Sequence, residues 1–185
     1  MTRNRGIIGL ALLALLAATA YVVSRPPGVT GGPLQPSDNI NSFGHHVAPG
    51  GAASFVIQPW ATEPVTVIVN QLTLDNPTAG LEVLGTGVLR GAFPGYLMDG
   101  YPPDAIDPLI GTSVTFTPTN ASPFLVIGLR APGVDKNYSA TGVWLDYTLN
   151  DRHYLALLPW QMTLCTSVGE VCQAPDGNLF SFLPQ

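Results

Sequence analysis

Two adjacent histidines, His45 and His46, are the residues best suited to chemistry, and His153 is the third histidine of the chain. Imidazole binds Cu or Zn, and Met98 and Met162 are soft partners that suit Cu(I). The spacing gives a shared site no support. Neighbours on an extended chain point to opposite faces, so one ion cannot easily take both His45 and His46. Without a metal, the pair reads as solvated residues where a linker meets a domain.

A second group lies in the stretch 91–112, which carries Asp99, Asp104 and Asp107 beside Tyr96 and Tyr101. Three carboxylates with backbone carbonyls can hold Ca²⁺. Yet Asp99-Gly100, and Asp104 after Pro102-Pro103, are also ordinary turn chemistry. Aromatic residues on an exposed loop suit a protein interface. Tyr96, Asp99, Tyr101 and Asp104 are therefore candidate partner-binding residues. Trp144 joins them, because it alternates onto one strand face with Asp146 and Thr148. No cofactor is assigned. A Cu, Zn or Ca protein using His45, His46, His153, Asp99, Asp104 and Asp107 is kept as the alternative reading.

Catalytic signatures are missing from the sequence. It has no G-x-S-x-G elbow and no phosphate-cradling G-x-x-x-x-G-K. No carboxylate pair stands in a context suited to glycoside hydrolysis. The expectation is a protein that is not an enzyme, with a secreted hydrolase built around His153 as the least favoured reading. Six residues separate Cys165 from Cys172. A redox motif wants two intervening residues, and a zinc site wants more ligands. In an exported chain the pair predicts a disulfide, worth roughly 2–3 kcal/mol in the chain-entropy model.

The elements that must position these residues read as strands. Ser54–Gln58, Pro64–Leu74, Leu81–Arg90, Ser113–Thr117 and Pro123–Ala131 alternate or run apolar at strand length. Gly85 and Gly87 mark a bulge or a close backbone approach. The run from Tyr138 to Cys165 reads as two long strands joined at Asn150-Asp151, a pair that tolerates positive φ. Pro159 should bend the second of these or confine that point to an edge. Pro103–Leu109 suits one helical turn, and Leu179 with Phe180 a last short strand in 173–185. The stretch 91–112 lacks alternation and is long for a loop in a compact domain. The fold class expected is all-β: an immunoglobulin-like antiparallel β-sandwich of seven or eight strands, preceded by an N-terminal hydrophobic helix.

That helix is residues 7–23, an uncharged run behind Arg3 and Arg5 and stopped by Arg25-Pro26-Pro27. Its length is at the short end of what spans a bilayer, and the leading arginines hold the amino terminus inside. Three segments follow: an anchor or uncleaved signal at 1–24, a Pro/Gly-rich linker at 25–41 that lifts the domain from the membrane, and an extracytoplasmic domain at 42–185. Cleavage after Ala20, giving a secreted protein, is the alternative. Beyond residue 40, four cations face eleven acids, a balance of −7. That acidity excludes a nucleic-acid footprint and a polybasic lipid patch. The layout resembles that of anchored envelope proteins of GC-rich bacteria. It predicts a non-catalytic, membrane-anchored interaction module, or an accessory subunit of a cell-envelope complex, whose partner is another envelope or membrane protein.

Overall fold

The structure, a computed structural model, describes residues 29–35, 41–92, 94–103, 106–118, 123–134, 136–166 and 172. The run 7–23, Asp104 and the segment 173–185 lie outside them. Among the described residues no helix is long and apolar enough to cross a membrane. Fifteen strands form there. The first five are β1 (Val29–Thr30), β2 (Leu34–Gln35), β3 (Asn41–His46), β4 (Ala52–Ile57) and β5 (Trp60–Ala61). Then come β6 (Val65–Asp75), β7 (Glu82–Leu89), β8 (Leu97–Asp99), β9 (Ile106–Pro108) and β10 (Ser113–Phe116). The last are β11 (Phe124–Arg130), β12 (Asn137–Ala140), β13 (Gly142–Leu149), β14 (Arg152–Leu158) and β15 (Trp160–Cys165).

These strands build several sheets and no closed barrel. One five-stranded sheet has the order β1-β14-β13-β6-β10, and a second has the order β8-β4-β11-β7-β9. A three-stranded sheet, β12-β15-β3, and the ribbon β2-β5 complete the set. Period-2 alternation aims one face of each large sheet at a common core. Val67, Val69, Leu72, Val143, Leu145 and Tyr147 from the first share one buried cluster with Phe55, Ile57, Leu125, Ile127 and Leu129 from the second. This arrangement is consistent with a β-sandwich. Each such Leu or Ile, taken fully out of water, contributes about 1.5–3 kcal/mol.

β11 is buried on both faces, as its apolar run predicts. Its other face carries Phe124 and Val126, which cluster with Val56 and Leu89 under Met98 and Ile106. The pairing of β6 shifts register where two polar residues, Asn70-Gln71, interrupt its alternation. The pairing with β13 skips Asn70 there, so Val67 and Val69 face inward before the bulge and Leu72 does so after it.

The hairpin turn forms as predicted. Asn150 and Asp151 have φ of 49° and 60°, the left-handed pair that a two-residue hairpin needs. The stretch around it is more broken than expected. Tyr138–Cys165 holds four strands rather than two, and they divide between two sheets. Pro159 causes the second break: with no N–H to donate, it stands between β14 and β15, where the chain changes sheet. Pro103–Leu109 also departs from the expected helical turn, because Ile106–Pro108 forms β9 and pairs with β7. Nor is the pairing wholly antiparallel: β1 runs parallel to β14, and β3 parallel to β15.

Part of the stretch read as linker belongs to the fold. β1 pairs with β14 and β2 with β5, and Leu34 is 2% exposed in the core. The reason is steric. Gly31 and Gly32, at φ of +107° and +111°, turn the chain between those strands. A Cβ on Gly32 would lie 2.3 Å from the Tyr147 hydroxyl and 2.8 Å from Tyr154 Cδ1, so only glycine can pass there. The two tyrosine rings stack with centroids 5.4 Å apart beneath it. The predicted disulfide is present: Cys165 and Cys172 are bonded, both buried, with Cα atoms 5.7 Å apart.

Candidate interaction surface

The candidate loop is a strap. Its two ends supply both edges of the second sheet, since β8 pairs with β4 and β9 with β7. Between them, Tyr101 lies on that sheet's outer face. Glycines make this possible, because they leave the sheet bare where the strap lies down. A Cβ on Gly128 would be 2.1 Å from Tyr101 Cδ2, and one on Gly85 would be 2.3 Å from its hydroxyl. Gly87 is covered in the same way by Ile106. Both sequence readings of Gly85 and Gly87 hold. They mark close approaches, and the β11–β7 register shifts beside Gly85. Burial raises the Tyr101 phenol above its ordinary pKa, because the phenolate would lose its water.

Two of the strap's carboxylates, Asp99 and Asp107, are tied to neighbours. Asp99 accepts a 2.7 Å hydrogen bond from His45 Nε2, and Asp107 takes 3.1 Å from Arg90 Nε. The Asp99 side chain is 90% exposed, so its pair is a surface contact of small worth. Tyr96 stacks on Phe43 at 4.9 Å and lies 5.6 Å from Trp160, while 41% of it remains exposed. Trp160 is buried, with its indole Nε1 among the buried polar atoms that have no hydrogen-bond partner.

The histidines stand in separate places. His45 and His46 alternate along β3, His45 half-buried and His46 exposed. His153 Nδ1 is 3.2 Å from Asp146 Oδ1, on the outer face of the first sheet. There Asn70 Nδ2 also donates to Asp146 at 2.8 Å and to Thr148 Oγ1 at 3.0 Å. Met162 lies in the core, and Met98 packs on the smaller apolar cluster. Among the described residues no three His, Cys, Asp or Glu come together to hold an ion.

Trp144 leads to a different feature. It points outward from β13, and its Nε1 donates to Asp75 Oδ1 at 2.9 Å. Thr141 Oγ1 holds the other oxygen of that carboxylate at 2.8 Å. With its one polar atom satisfied, the indole presents an apolar face. Trp144 pairs with Leu157 on β14, and Leu155 stands next along that strand. Together with Gly31, Gly32, Leu34 and Gln35 they line an open recess of about 360 Å³. Leu157 is 38% exposed, and Ile68, 45% exposed, lies elsewhere on the same outer face.

The five partner-binding candidates thus separate. Tyr101 lies flat on the second sheet, Asp99 and Tyr96 lie beside β3, and Trp144 stands on the outer face of the first sheet. Asp104 lies outside the described residues. Sequence reasoning missed Leu155, Leu157 and the Gly31-Gly32 pair. The signal was present in β14, where both alternating sets contain leucines, so one set had to face outward. Searches against protein-family models and against curated proteins found no match.

Proposed function

We propose that the chain is a non-catalytic, membrane-anchored extracytoplasmic interaction module, or an accessory subunit of a cell-envelope complex, carried on an immunoglobulin-like β-sandwich. The observation that carries this reading is the apolar recess of Trp144, Leu155 and Leu157 on the outer face of the first sheet. An apolar concavity with few polar groups suits burial against another surface. The Cys165–Cys172 bond supports an oxidising compartment. The basic stub and the uncharged run 7–23 support retention at the membrane.

Pull-down of the full chain from native membranes tests the module. A recurrent envelope protein in the eluate is the expected outcome. Repeated return of this chain alone refutes it. Amino-terminal sequencing of the mature protein tests the anchor: a start at Tyr21 means a secreted protein.

A further inference from the structure

The recess lies close to where the chain enters the fold, and that limits what can cover it. Only five residues, Ser24 to Gly28, separate the apolar run 7–23 from β1. At full extension five residues span at most about 18 Å. β1 then docks in parallel on β14, with Val29 opposite Tyr154 and Thr30 opposite Leu155. Gly31 and Gly32 follow at once and form one wall of the recess. Leu157 is three residues beyond Tyr154 on β14, about 10 Å along the strand.

We propose that this recess is a lipid-facing surface, seated against the interfacial region of the bilayer that the anchor enters. The proposal rests on the retained anchor of the preceding section. The residues fit that partner. A tryptophan at the membrane–water boundary buries its ring while its N–H stays bonded, and here Asp75 supplies that bond within the protein. Leu155 and Leu157 add aliphatic surface to the same wall. Because the body has a balance of −7 beyond residue 40, the fitting surface is zwitterionic rather than anionic. The contact need not be strong. A short tether makes the encounter intramolecular, so a small patch is occupied at high effective concentration.

The test uses the full chain in phosphatidylcholine vesicles whose acyl chains are brominated near the headgroup, with plain phosphatidylcholine as reference. Bromine quenches tryptophan only at short range. The expected result is a chain that floats with the vesicles and loses emission in the brominated lipid. That loss should be absent from Trp144→Phe and reduced in Leu157→Glu. Equal quenching of the wild type and Trp144→Phe, with flotation intact, overturns the proposal and leaves a protein segment as occupant of the recess. A chain that fails to float overturns the anchor and the proposal together.

Discussion

Gly128→Ala tests how the strap is held. Gly128 is in the middle of β11, on the face away from the main core, directly under the Tyr101 ring. An alanine Cβ there would lie 2.1 Å from Cδ2, 2.3 Å from Cγ and 2.8 Å from Cε2. Carbon atoms rest about 3.5–4.0 Å apart, so the ring must rise by roughly 1.5 Å. It cannot turn out of the way, because three of its carbons are in the path. Overpacking of this kind costs about 1–3 kcal/mol. The opposing term is small: glycine inside a strand is worse than alanine by roughly 0.5–1 kcal/mol when space is open. A net loss of about 1 kcal/mol is expected.

A double-mutant cycle with Tyr101→Ala isolates the contact. With the ring removed, Gly128→Ala should change sign and become neutral or slightly stabilising, since Gly128 has an ordinary φ. Urea unfolding of the four proteins, followed by circular dichroism, gives the coupling directly. An equal loss in both backgrounds would falsify the packed strap. The Tyr101 phenol provides a second readout. Burial holds its pKa above 10. A ring lifted into water should titrate nearer the ordinary tyrosine value in Gly128→Ala, seen as added phenolate absorbance at alkaline pH.

Three further outcomes follow from the structure. Gly32→Ala should cost about 1–3 kcal/mol more than Gly31→Ala, because both have positive φ but only Gly32 meets Tyr147 and Tyr154. Equal midpoints for the two variants in urea would show that this segment is free linker. Stability should fall as pH climbs past 10. Burial raises the Tyr147 phenol, so the folded chain keeps a proton that the unfolded chain gives up, and stability complete below pH 10 is lost on the way to the folded-state value. Tyr147→Phe should flatten that alkaline decline, and an unchanged slope of midpoint against pH would count against it. Replacing both cysteines with serine should lower stability by about 2–3 kcal/mol, measured by the same denaturant series.

The regular strands were readable because their burial is one-sided. Val65, Val67 and Val69 against Thr66 and Ile68 is a pattern that only a half-buried strand produces, and β6 starts within a residue of where it predicts. The Asn150-Asp151 turn was readable because few residue pairs accept two positive φ values in a row. The strap was not readable, because its partners are distant in sequence. Nothing near Tyr101 announces that Gly85 and Gly128 will stand together beneath its ring. The misreading of residues 29–35 has the same origin. Proline and glycine content describes a linker well, but glycine also lets backbone lie against a ring. Whether it does so depends on Tyr147 and Tyr154, more than a hundred residues away. Trp144 was identified as outward-facing, but its recess needed walls from two other segments.

These glycine–tyrosine contacts bear on where a partner can bind. With only 10% charged residues, the chain closes its irregular segments by laying rings on bare backbone more than by ion pairs. Two arginine–carboxylate pairs among the described residues, Arg90 with Asp107 and Arg130 with Glu82, are exposed and of small worth. The outer face of the second sheet is consumed by this device, since the strap covers Gly85, Gly87, Gly128 and the cluster around Val126. Tyr101 and Asp107 are therefore committed to holding the strap down. The outer face of the first sheet has no strap of this kind among the described residues, and it carries Trp144, Leu157 and Ile68. The two faces should separate under mutation. Tyr101→Ala should lower the unfolding midpoint and leave partner or membrane contact intact. Trp144→Phe should weaken contact at little cost in stability, although it also frees the Asp75 carboxylate oxygen. If instead Tyr101→Ala abolished contact in a chain that still folds, the strap itself would be the recognition element, and the recess no more than the place where the chain enters the fold.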